Sequence, residues 1–392
     1  MKRLFTFILT LTMAFSFCVN SFAAAATTTT ATETTAATAA TTEASADTSS
    51  TQTTGASYGT SKLSGAPDIV AESAVVMDAG TGTVLYGKEA STKRYPASIT
   101  KVMTALLAVE NCNMSDIITY SNAAVNGIEA GSSTAGINVG AKLTVEDSLY
   151  ALMLVSANEA AAAIAEHISG STTEFAKLMT KRAKELGCKN TQFKNPHGLP
   201  DEEHYTTAYD MGLILKEAMK HPEFRKIAGT ISYTLKKSDS LTDTLELWNH
   251  AKILRQNSDY YYEYAKGAKT GFTQVALNTL VTYAKKDNVE LICVILKDHG
   301  ADKSYTDTAN LFKWAFNQVK AVTPLTNFSL KTAMTENSSI DSAKLDQIQL
   351  LNSSYDTNFS VLVKKDFDES TLKTAFKLDE DKKTGRLGYI II

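Results

Sequence analysis

Tyr95-Pro96-Ala97-Ser98-Ile99-Thr100-Lys101 is the stretch on which the interpretation of the fold rests, and it leads into an apolar run that ends at Val109. A proline in the first turn followed by mostly apolar residues is typical of the start of a buried helix. Residues three apart share one face of a helix, so Lys101 is expected beside the Ser98 hydroxyl. The stretch therefore predicts a serine with a potential lysine base at a helix start.

Two further short elements follow in order, at wide intervals: Ser156-Ala157-Asn158 and Lys269-Thr270-Gly271. Each element is weak alone, because Ser-x-x-Lys recurs at 370–373 and Lys-Thr-Gly recurs at 383–385. The second pair has no Ser-x-Asn between its members and no long apolar helix after it, and we interpret it as chance. The ordered first set suits a serine acyl-transfer site with lysine as its base.

Each residue of this set is expected to have its own role. Free lysine has a pKa of about 10.4, so Lys101 needs burial or a second cation to be neutral. Lys269 is expected to supply that cation, to remain charged and to attract an anionic group of the substrate. Ser156 is expected to relay a proton to the leaving amine. Asn158 is expected to position Lys101 or a substrate amide.

The residues around Lys269 also predict how a substrate binds. A strand containing Thr270 and Gly271 can hydrogen-bond an extended peptide along a sheet edge. Gly271 permits a close approach of backbone. The backbone N–H groups of Ser98 and Phe272 are candidate oxyanion donors, each worth on the order of 3 kcal/mol.

The distribution of helix and strand patterns predicts an α+β fold. Strand-like runs occupy 71–78, 84–86, 231–235, 267–270, 277–284 and 289–296. Helical patterns occupy 145–186 with a break near Gly170, about 208–220 and about 304–319. We expect one antiparallel sheet assembled from both ends of the domain, with the helical block as a second lobe.

The chain divides into four predicted segments. Residues 1–23 have a basic start, an apolar run and small residues for cleavage, which predicts a signal peptide and an exported protein. Residues 24–64 consist almost wholly of small and polar types and are predicted to be a disordered linker. A large domain at 65–322 and a small domain at 323–392 follow.

Composition argues against several classes of protein. The net charge is -3 and becomes more negative if Lys2 and Arg3 leave with the signal, which disfavours nucleic acid as a partner. Cys112, Cys188 and Cys293 are an odd number in the mature chain and predict buried free thiols. The Cys and His spacing predicts no metal site, and no cofactor is expected. After the signal, no apolar run is long enough to cross a bilayer.

The residues from about Ile69 to Val319 resemble the low-molecular-mass penicillin-binding proteins that act as serine-type D-alanyl-D-alanine carboxypeptidases. Beyond the three motifs, the resemblance rests on Gly131-Ser132-Ser133, Leu143-Thr144-Val145-Glu146-Asp147, Leu149-Tyr150-Ala151-Leu152-Met153, Asn195-Pro196-His197-Gly198-Leu199 and Asn249.

The resemblance implies a fold of the β-lactamase and transpeptidase type, with a small β-rich domain after the catalytic domain. It implies removal of the terminal D-alanine from peptidoglycan stem peptides, through an acyl-enzyme on Ser98, at the cell wall or the outer face of the membrane. It also implies that β-lactams acylate the same serine.

The sequence departs from the family at two positions. Ala157 stands where many relatives carry glycine or aspartate, and Phe272 stands where some carry histidine. In the family an amphipathic anchor helix often follows the small domain. The chain shows no such helix, so peripheral membrane association stays open. His197 is interpreted as a structural loop residue.

Three other functions remain as alternatives. A D-alanyl-D-alanine endopeptidase would use the same residues. A class A β-lactamase needs a glutamate in a Glu-x-x-Leu-Asn setting, which neither Glu185 nor Glu202 has. A non-catalytic wall-binding protein is disfavoured because all the expected catalytic residues, Ser98, Lys101, Ser156, Asn158 and Lys269, are present.

Overall fold

The computed structural model describes residues 63–237, 241, 243–324, 360–371, 375–381 and 386–391 of the 392-residue chain. The predicted signal peptide at 1–23, nearly all of the predicted linker and much of the predicted small domain lie outside the described residues. The chain divides into two compact units, and the larger one comprises Gly55–Val322 together with Ser360–Phe367.

Helices and strands alternate in groups along the described part of the chain. The helices are α1 (Lys101–Asn111), α2 (Asn122–Asn126), α3 (Val145–Leu154), α4 (Asn158–Ser169), α5 (Thr172–Glu185), α6 (Ala208–Ala218), α7 (Pro222–Gly229) and α8 (Ala301–Gln318). The strands are β1 (Ser73–Asp78), β2 (Val84–Lys88), β3 (Ile117–Thr119), β4 (Lys142–Thr144), β5 (Ser232–Leu235), β6 (Leu245–Trp248), β7 (Ala265–Thr273), β8 (Leu277–Lys286), β9 (Val289–Asp298), β10 (Val319–Val322), β11 (Val361–Lys364), β12 (Ala375–Asp381) and β13 (Arg386–Ile391).

An antiparallel sheet of five strands lies at the centre of the larger unit, in the order β2-β1-β9-β8-β7. Strands from the beginning and the end of the domain thus share one sheet, and the predicted α+β class is confirmed. The motif strand β7 occupies one edge of this sheet. Its outer side is therefore available for pairing with an extended peptide.

Both faces of the central strands are buried, which explains the continuous apolar run of β9. Ile292 and Val294 belong to a core shared with the helical lobe. Cys293 and Ile295 belong to a second core, which includes Phe312 of α8. Successive side chains of a strand point to opposite faces, so a strand covered on both sides is apolar at every position.

The helical lobe differs from its prediction at one important place. The pattern predicted one helix from 145 to a break near Gly170, but α3 ends at Leu154 and α4 begins at Asn158. The break at Gly170 is confirmed, and this residue ends α4 with a φ of 74°. The apolar pattern of the sequence continues across the break at 155–157, because α3 and α4 both bury apolar side chains, and the pattern therefore did not reveal the break.

Several short elements of the larger unit were not predicted, and α7 and β6 are examples. Helix α7 begins with Pro222 at its first position, a start signal that the sequence does contain. Strand β6 pairs with β5 in a separate hairpin. Both are short, so their apolar periodicity covers too few residues to identify them.

The three cysteines of the larger unit are free, as predicted. Cys188 and Cys293 are buried, whereas Cys112 is partly exposed. Burial raises the pKa of each thiol, so the thiolate form is disfavoured. These residues serve packing. None of the helices in the described part of the chain is both long and apolar enough to span a membrane.

Beyond α8 the described elements are strands. β11 pairs with β10, and residues 360–367 thus group with the larger unit, which a single boundary at 322 did not anticipate. In the smaller unit, β12 pairs with β13. The extent of a separate domain at 323–392 stays a prediction.

Asp307 of α8 fixes the segment that leads into β1. Its buried carboxylate accepts the backbone N–H of Val70 at 2.7 Å and that of Ala71 at 3.1 Å. Replacing Asp307 by Ala is expected to lower the free energy of unfolding by about 2 kcal/mol, because two buried donors lose a charged acceptor. Urea denaturation measures the change.

Two variants serve as controls for this effect. Asp307→Asn retains an acceptor oxygen and is expected to lose less. Asp302→Ala, on the same helix but exposed, is expected to lose no more than about 1 kcal/mol. Equal stability of Asp307→Ala and the wild type would show that the contact contributes nothing.

Candidate active site

The predicted residues meet at one cleft of about 360 Å³ in the larger unit. The predicted residues that line it are Ser98, Ser156, Asn158, Thr270, Gly271 and Phe272. Lys101 and Lys269 are buried, and their ammonium nitrogens contact the hydroxyls of Ser98 and Ser156. The structure thus brings all eight predicted residues together from three segments of the chain.

Lys101 lies at the first position of α1, directly after the 3₁₀ turn Ala97–Thr100 that carries Ser98. Its side chain is fully buried. Lys101 Nζ lies 3.1 Å from Ser98 Oγ, 2.6 Å from Asn158 Oδ1 and 2.9 Å from the backbone oxygen of His197. The predicted spacing of serine and lysine is therefore realised, although by a 3₁₀ turn.

The partners of Lys101 determine how a neutral amine would be oriented. The oxygens of Asn158 and His197 can only accept hydrogen bonds, whereas a serine hydroxyl can also donate one. A neutral amine has two N–H bonds and one lone pair. When both N–H bonds are given to Asn158 Oδ1 and His197 O, the lone pair faces the Ser98 hydroxyl. The site thus orients Lys101 as a base.

The electrostatics of the site favour that neutral form. Burial lowers the pKa of Lys101 well below 10.5, and the nearby Lys269 lowers it further, while Glu159 acts in the opposite direction. Burial lowers the pKa of Lys269 to about 7. The role of Lys269 as the charged partner stays a prediction, and burial makes its neutral form accessible near neutral pH.

Lys269 connects the motif strand to the second motif. Its Nζ donates to Ser156 Oγ at 3.1 Å and to the backbone oxygen of Thr270 at 2.8 Å. Ser156 lies in the junction between α3 and α4 with a φ of 62°. A left-handed conformation is uncommon for a non-glycine residue, and here it directs the hydroxyl toward Lys269.

Two glycines allow the segments of the site to approach one another. A Cβ on Gly271 would lie 2.7 Å from the backbone nitrogen of Ser98 and 2.5 Å from Thr279 Oγ1. Gly198 has a φ of 91°, and a Cβ there would lie 1.9 Å from the backbone oxygen of Ala97. The close approach expected at Gly271 is thus observed, against the serine turn itself.

The loop around His197 supplies a functional group that the sequence did not reveal. The His197 ring accepts the N–H of Leu199 at 3.2 Å, which agrees with a structural role for the side chain. Burial, and then the charge of Lys101, lower the pKa of His197 to about 3, so the ring is neutral. Its backbone oxygen, however, binds Lys101. Backbone groups leave no mark in a sequence beyond the turn residues Asn195 and Pro196.

Glu159 was also missed by the sequence interpretation. It follows Asn158 in α4 and is 1% exposed. Its Oε1 accepts Thr134 Oγ1 at 2.7 Å and the N–H groups of Ala135 and Gly136 at 2.7 and 3.1 Å. Glu159 thus holds the loop that carries Ser132 and Ser133 into the cleft. The signal was an acidic residue in an otherwise alanine-rich helix start.

One group of side chains in the described residues is close enough together to hold a metal, and it consists of Glu110, Glu217 and His221. The Arg182 guanidinium lies 2.6 Å from a Glu110 oxygen and 3.6 Å from a Glu217 oxygen. Lys220 Nζ also lies 2.7 Å from a Glu217 oxygen, so two cations pair with the two carboxylates, and the group is better described as an ion-pair network.

Comparison with known proteins agrees with this geometry. Residues 60–300 match the family described as D-alanyl-D-alanine carboxypeptidase. The chain is 34% identical over 334 residues to D-alanyl-D-alanine carboxypeptidase DacF of Bacillus subtilis, which covers 82% of this chain and 81% of that protein. It is 32% identical to D-alanyl-D-alanine carboxypeptidase of Streptomyces sp. (strain K15), over 64% of this chain and 88% of that one.

Solved structures show the same similarity. The Streptomyces K15 DD-transpeptidase superimposes with a TM-score of 0.60 at 31% identity, covering 64% of this chain and 99% of that one. A D-alanyl-D-alanine carboxypeptidase from Mycobacterium tuberculosis H37Rv gives a TM-score of 0.59 at 26% identity, and the match covers 66% of this chain and 95% of that one.

Replacing Glu159 by Ala is expected to release the loop that carries Ser132 and Ser133. Four donors, the Thr134 hydroxyl and the N–H groups of residues 135–137, lose a buried acceptor, and the free energy of unfolding should fall by about 2 kcal/mol. Because loosened groups miss their catalytic geometry, the rate constant of acylation by benzylpenicillin should fall about tenfold. Stopped-flow acylation and thermal unfolding measure the two effects.

The controls for this variant lie on the same helix. Glu159→Gln keeps an acceptor oxygen and should retain more of both quantities. Glu166→Ala, two turns further along α4, should leave both near their original values. If the Glu159→Ala variant were acylated at the wild-type rate, Glu159 would have no role in positioning the residues of the cleft.

Proposed function

The chain belongs to the D-alanyl-D-alanine carboxypeptidase family, and we propose that it removes the terminal D-alanine of peptidoglycan stem peptides through an acyl-enzyme on Ser98. Family membership makes the protein a serine peptidase. The single observation that carries the assignment of residues is the environment of Lys101 Nζ. Two acceptor-only oxygens and the Ser98 hydroxyl surround it.

In the acylation step, Ser98 Oγ attacks the carbonyl carbon between the two D-alanines. Lys101 accepts the hydroxyl proton as the new C–O bond forms. Negative charge then develops on the carbonyl oxygen. The backbone N–H groups of Ser98 and Phe272 are the proposed donors to that oxygen, each worth on the order of 3 kcal/mol.

The departing D-alanine needs a proton on its amine and a partner for its carboxylate. Ser156 is within hydrogen-bond distance of Lys269 and is proposed to pass to the leaving nitrogen the proton that Lys101 accepted. The C–N bond breaks in this step, and Lys101 is neutral again before deacylation. Lys269 and Thr270 are proposed to receive the carboxylate. Binding of this anion favours the charged form of Lys269 and raises the pKa of its ammonium group.

Deacylation reverses the same chemistry with water as the nucleophile. Water adds to the ester carbonyl, Lys101 accepts one proton of that water, and the ester C–O bond to Ser98 breaks. The proton on Lys101 then passes to Ser98 Oγ, and the shortened stem leaves as a carboxylate after it releases the second proton of the water to solvent. Lys101 is thereby neutral for the next cycle.

The β-lactamase alternative finds no support in the cleft. None of the described residues that line it is a glutamate. Glu185 lies at the end of α5, where it contacts Lys181 and Arg182, and Glu202 lines a different groove. A water-activating carboxylate, which rapid β-lactam hydrolysis requires, is therefore missing from the described lining. Endopeptidase activity on crosslinked peptides remains the second candidate, because it uses the same residues.

The proposed place of action is the outer face of the membrane or the cell wall, where peptidoglycan stems are found. The basic and apolar character of residues 1–23 supports export. Peripheral association with the membrane is compatible with this proposal. A β-lactam is the expected covalent ligand, and no metal or cofactor takes part in the proposed steps.

Intact-mass measurement tests the nucleophile. The wild-type protein should gain the mass of one penicilloyl group after incubation with benzylpenicillin, and it should release D-alanine from a pentapeptide stem. Ser98→Ala should do neither, since the attacking hydroxyl is gone. Ser370→Ala, in the second Ser-x-x-Lys copy, is the matched control and should behave as wild type. An adduct that survives in Ser98→Ala contradicts the mechanism.

Replacing Lys101 by Ala tests the base. General-base catalysis contributes typically about 10²- to 10⁴-fold, so acylation should slow by that order. Circular dichroism and thermal unfolding check that the variant is folded. Near-normal acylation by a folded Lys101→Ala protein would assign the base role to another group.

A further inference from the structure

A second groove of about 420 Å³ lies beside the catalytic cleft. It is lined by Lys93, Arg94, Tyr95, Glu202, Tyr205, Val275, Ala276 and Lys297. Three chain segments contribute to both cavities: Tyr95 is three residues from Ser98, Glu202 is three from Leu199, and Val275 is two from Thr273. Three residues of chain span at most about 11 Å, so the two cavities adjoin on three segments.

The direction of a bound stem peptide, which rests on the proposed function, points to this groove. If the terminal carboxylate lies at Lys269 and Thr270, and the scissile carbonyl at the N–H of Phe272, the substrate runs along β7 toward its end. The residues upstream of the scissile bond then pass Thr273 and reach Val275. β7 is an edge strand, so its outer side is free for this pairing.

The groove has an excess of positive charge. Lys93, Arg94 and Lys297 line it together with one carboxylate, that of Glu202. Glu72 already binds two of the cations, at 3.0 Å from Arg94 and 3.1 Å from Lys297. The positive charges of Arg94 and Lys297 are therefore paired with Glu72, which does not line the groove.

Lys93 is the cation that remains available. Its side chain is exposed, and its Nζ lies 4.1 Å from the centroid of the Tyr205 ring. Among the described residues, no carboxylate lies within ion-pair distance of Lys93. The ring holds the ammonium group over the groove without neutralising it.

We propose that this groove is the subsite for the upstream half of the stem peptide, and that Lys93 binds the carboxylate of its D-glutamyl residue. That residue lies two positions before the D-alanine whose carbonyl is attacked. An extended chain advances roughly 3.3 Å per residue, so its carboxylate falls within reach of the groove. Tyr95 and Tyr205 line the groove and offer apolar ring surface to the intervening residue.

The experiment compares three substrates on the full-length protein. One is a pentapeptide stem with D-glutamate, the second carries the D-isoglutamine carboxamide at that position, and the third is diacetyl-L-lysyl-D-alanyl-D-alanine, which lacks the upstream half. Lys93→Ala should lower kcat/KM for the acidic stem about three- to fivefold, through KM, as expected for an exposed ion pair. Lys93→Glu should lower it further.

The loss should be confined to the acidic stem and should shrink as salt is added, because exposed charges are screened. Lys313→Ala, an equally exposed lysine of α8, is the matched control and should change none of the three substrates. Penicillin acylation, measured on the same proteins, reports whether the catalytic site is intact.

Two outcomes would overturn the subsite. One is an unchanged kcat/KM of Lys93→Ala on the acidic stem, and the other is an equal loss on all three substrates. A wild-type protein that releases no D-alanine from any substrate would instead overturn the proposed function, so the two failures are distinguishable.

Discussion

The site depends on the burial of one amine among three oxygens. Lys101 Nζ has no solvent to accept or donate hydrogen bonds, so its partners decide both its protonation and its orientation. Asn158 and the backbone of His197 present oxygens that only accept. The lone pair of the neutral amine is consequently left for Ser98. Each remaining segment of the cleft can be understood by how it maintains this arrangement.

Maintaining two buried lysines costs the fold stability. The pKa of Lys269 is about 7 in the folded protein, against 10.5 for the free side chain. At a pH between these two values, Lys269 carries a proton in the unfolded chain but not in the folded chain. The destabilisation is complete below about pH 7 and disappears as the pH rises toward 10.5. The two cores on either side of the sheet supply the packing that offsets this cost.

Local patterns made much of this site predictable from sequence. The helical spacing of three to four residues predicted that Lys101 lies beside Ser98. The alternation of two residues predicted the strand at Lys269 and the strands from both ends of the domain. The left-handed Ser156 was not predictable, because the apolar pattern continues across it. The backbone oxygen of His197 and the loop held by Glu159 were missed for another reason: they depend on tertiary contacts between segments that no local pattern relates.

The pH dependence of acylation by benzylpenicillin tests the central claim most directly. If neutral Lys101 is the base, the second-order rate constant falls at low pH as Lys101 becomes protonated, with a half-point well below the 10.5 of an ordinary lysine. Loss of the charge on Lys269 should then lower the rate on the alkaline side. A rate that keeps rising to a half-point near 10.5 would contradict the account, because Lys101 would then titrate as a solvated amine.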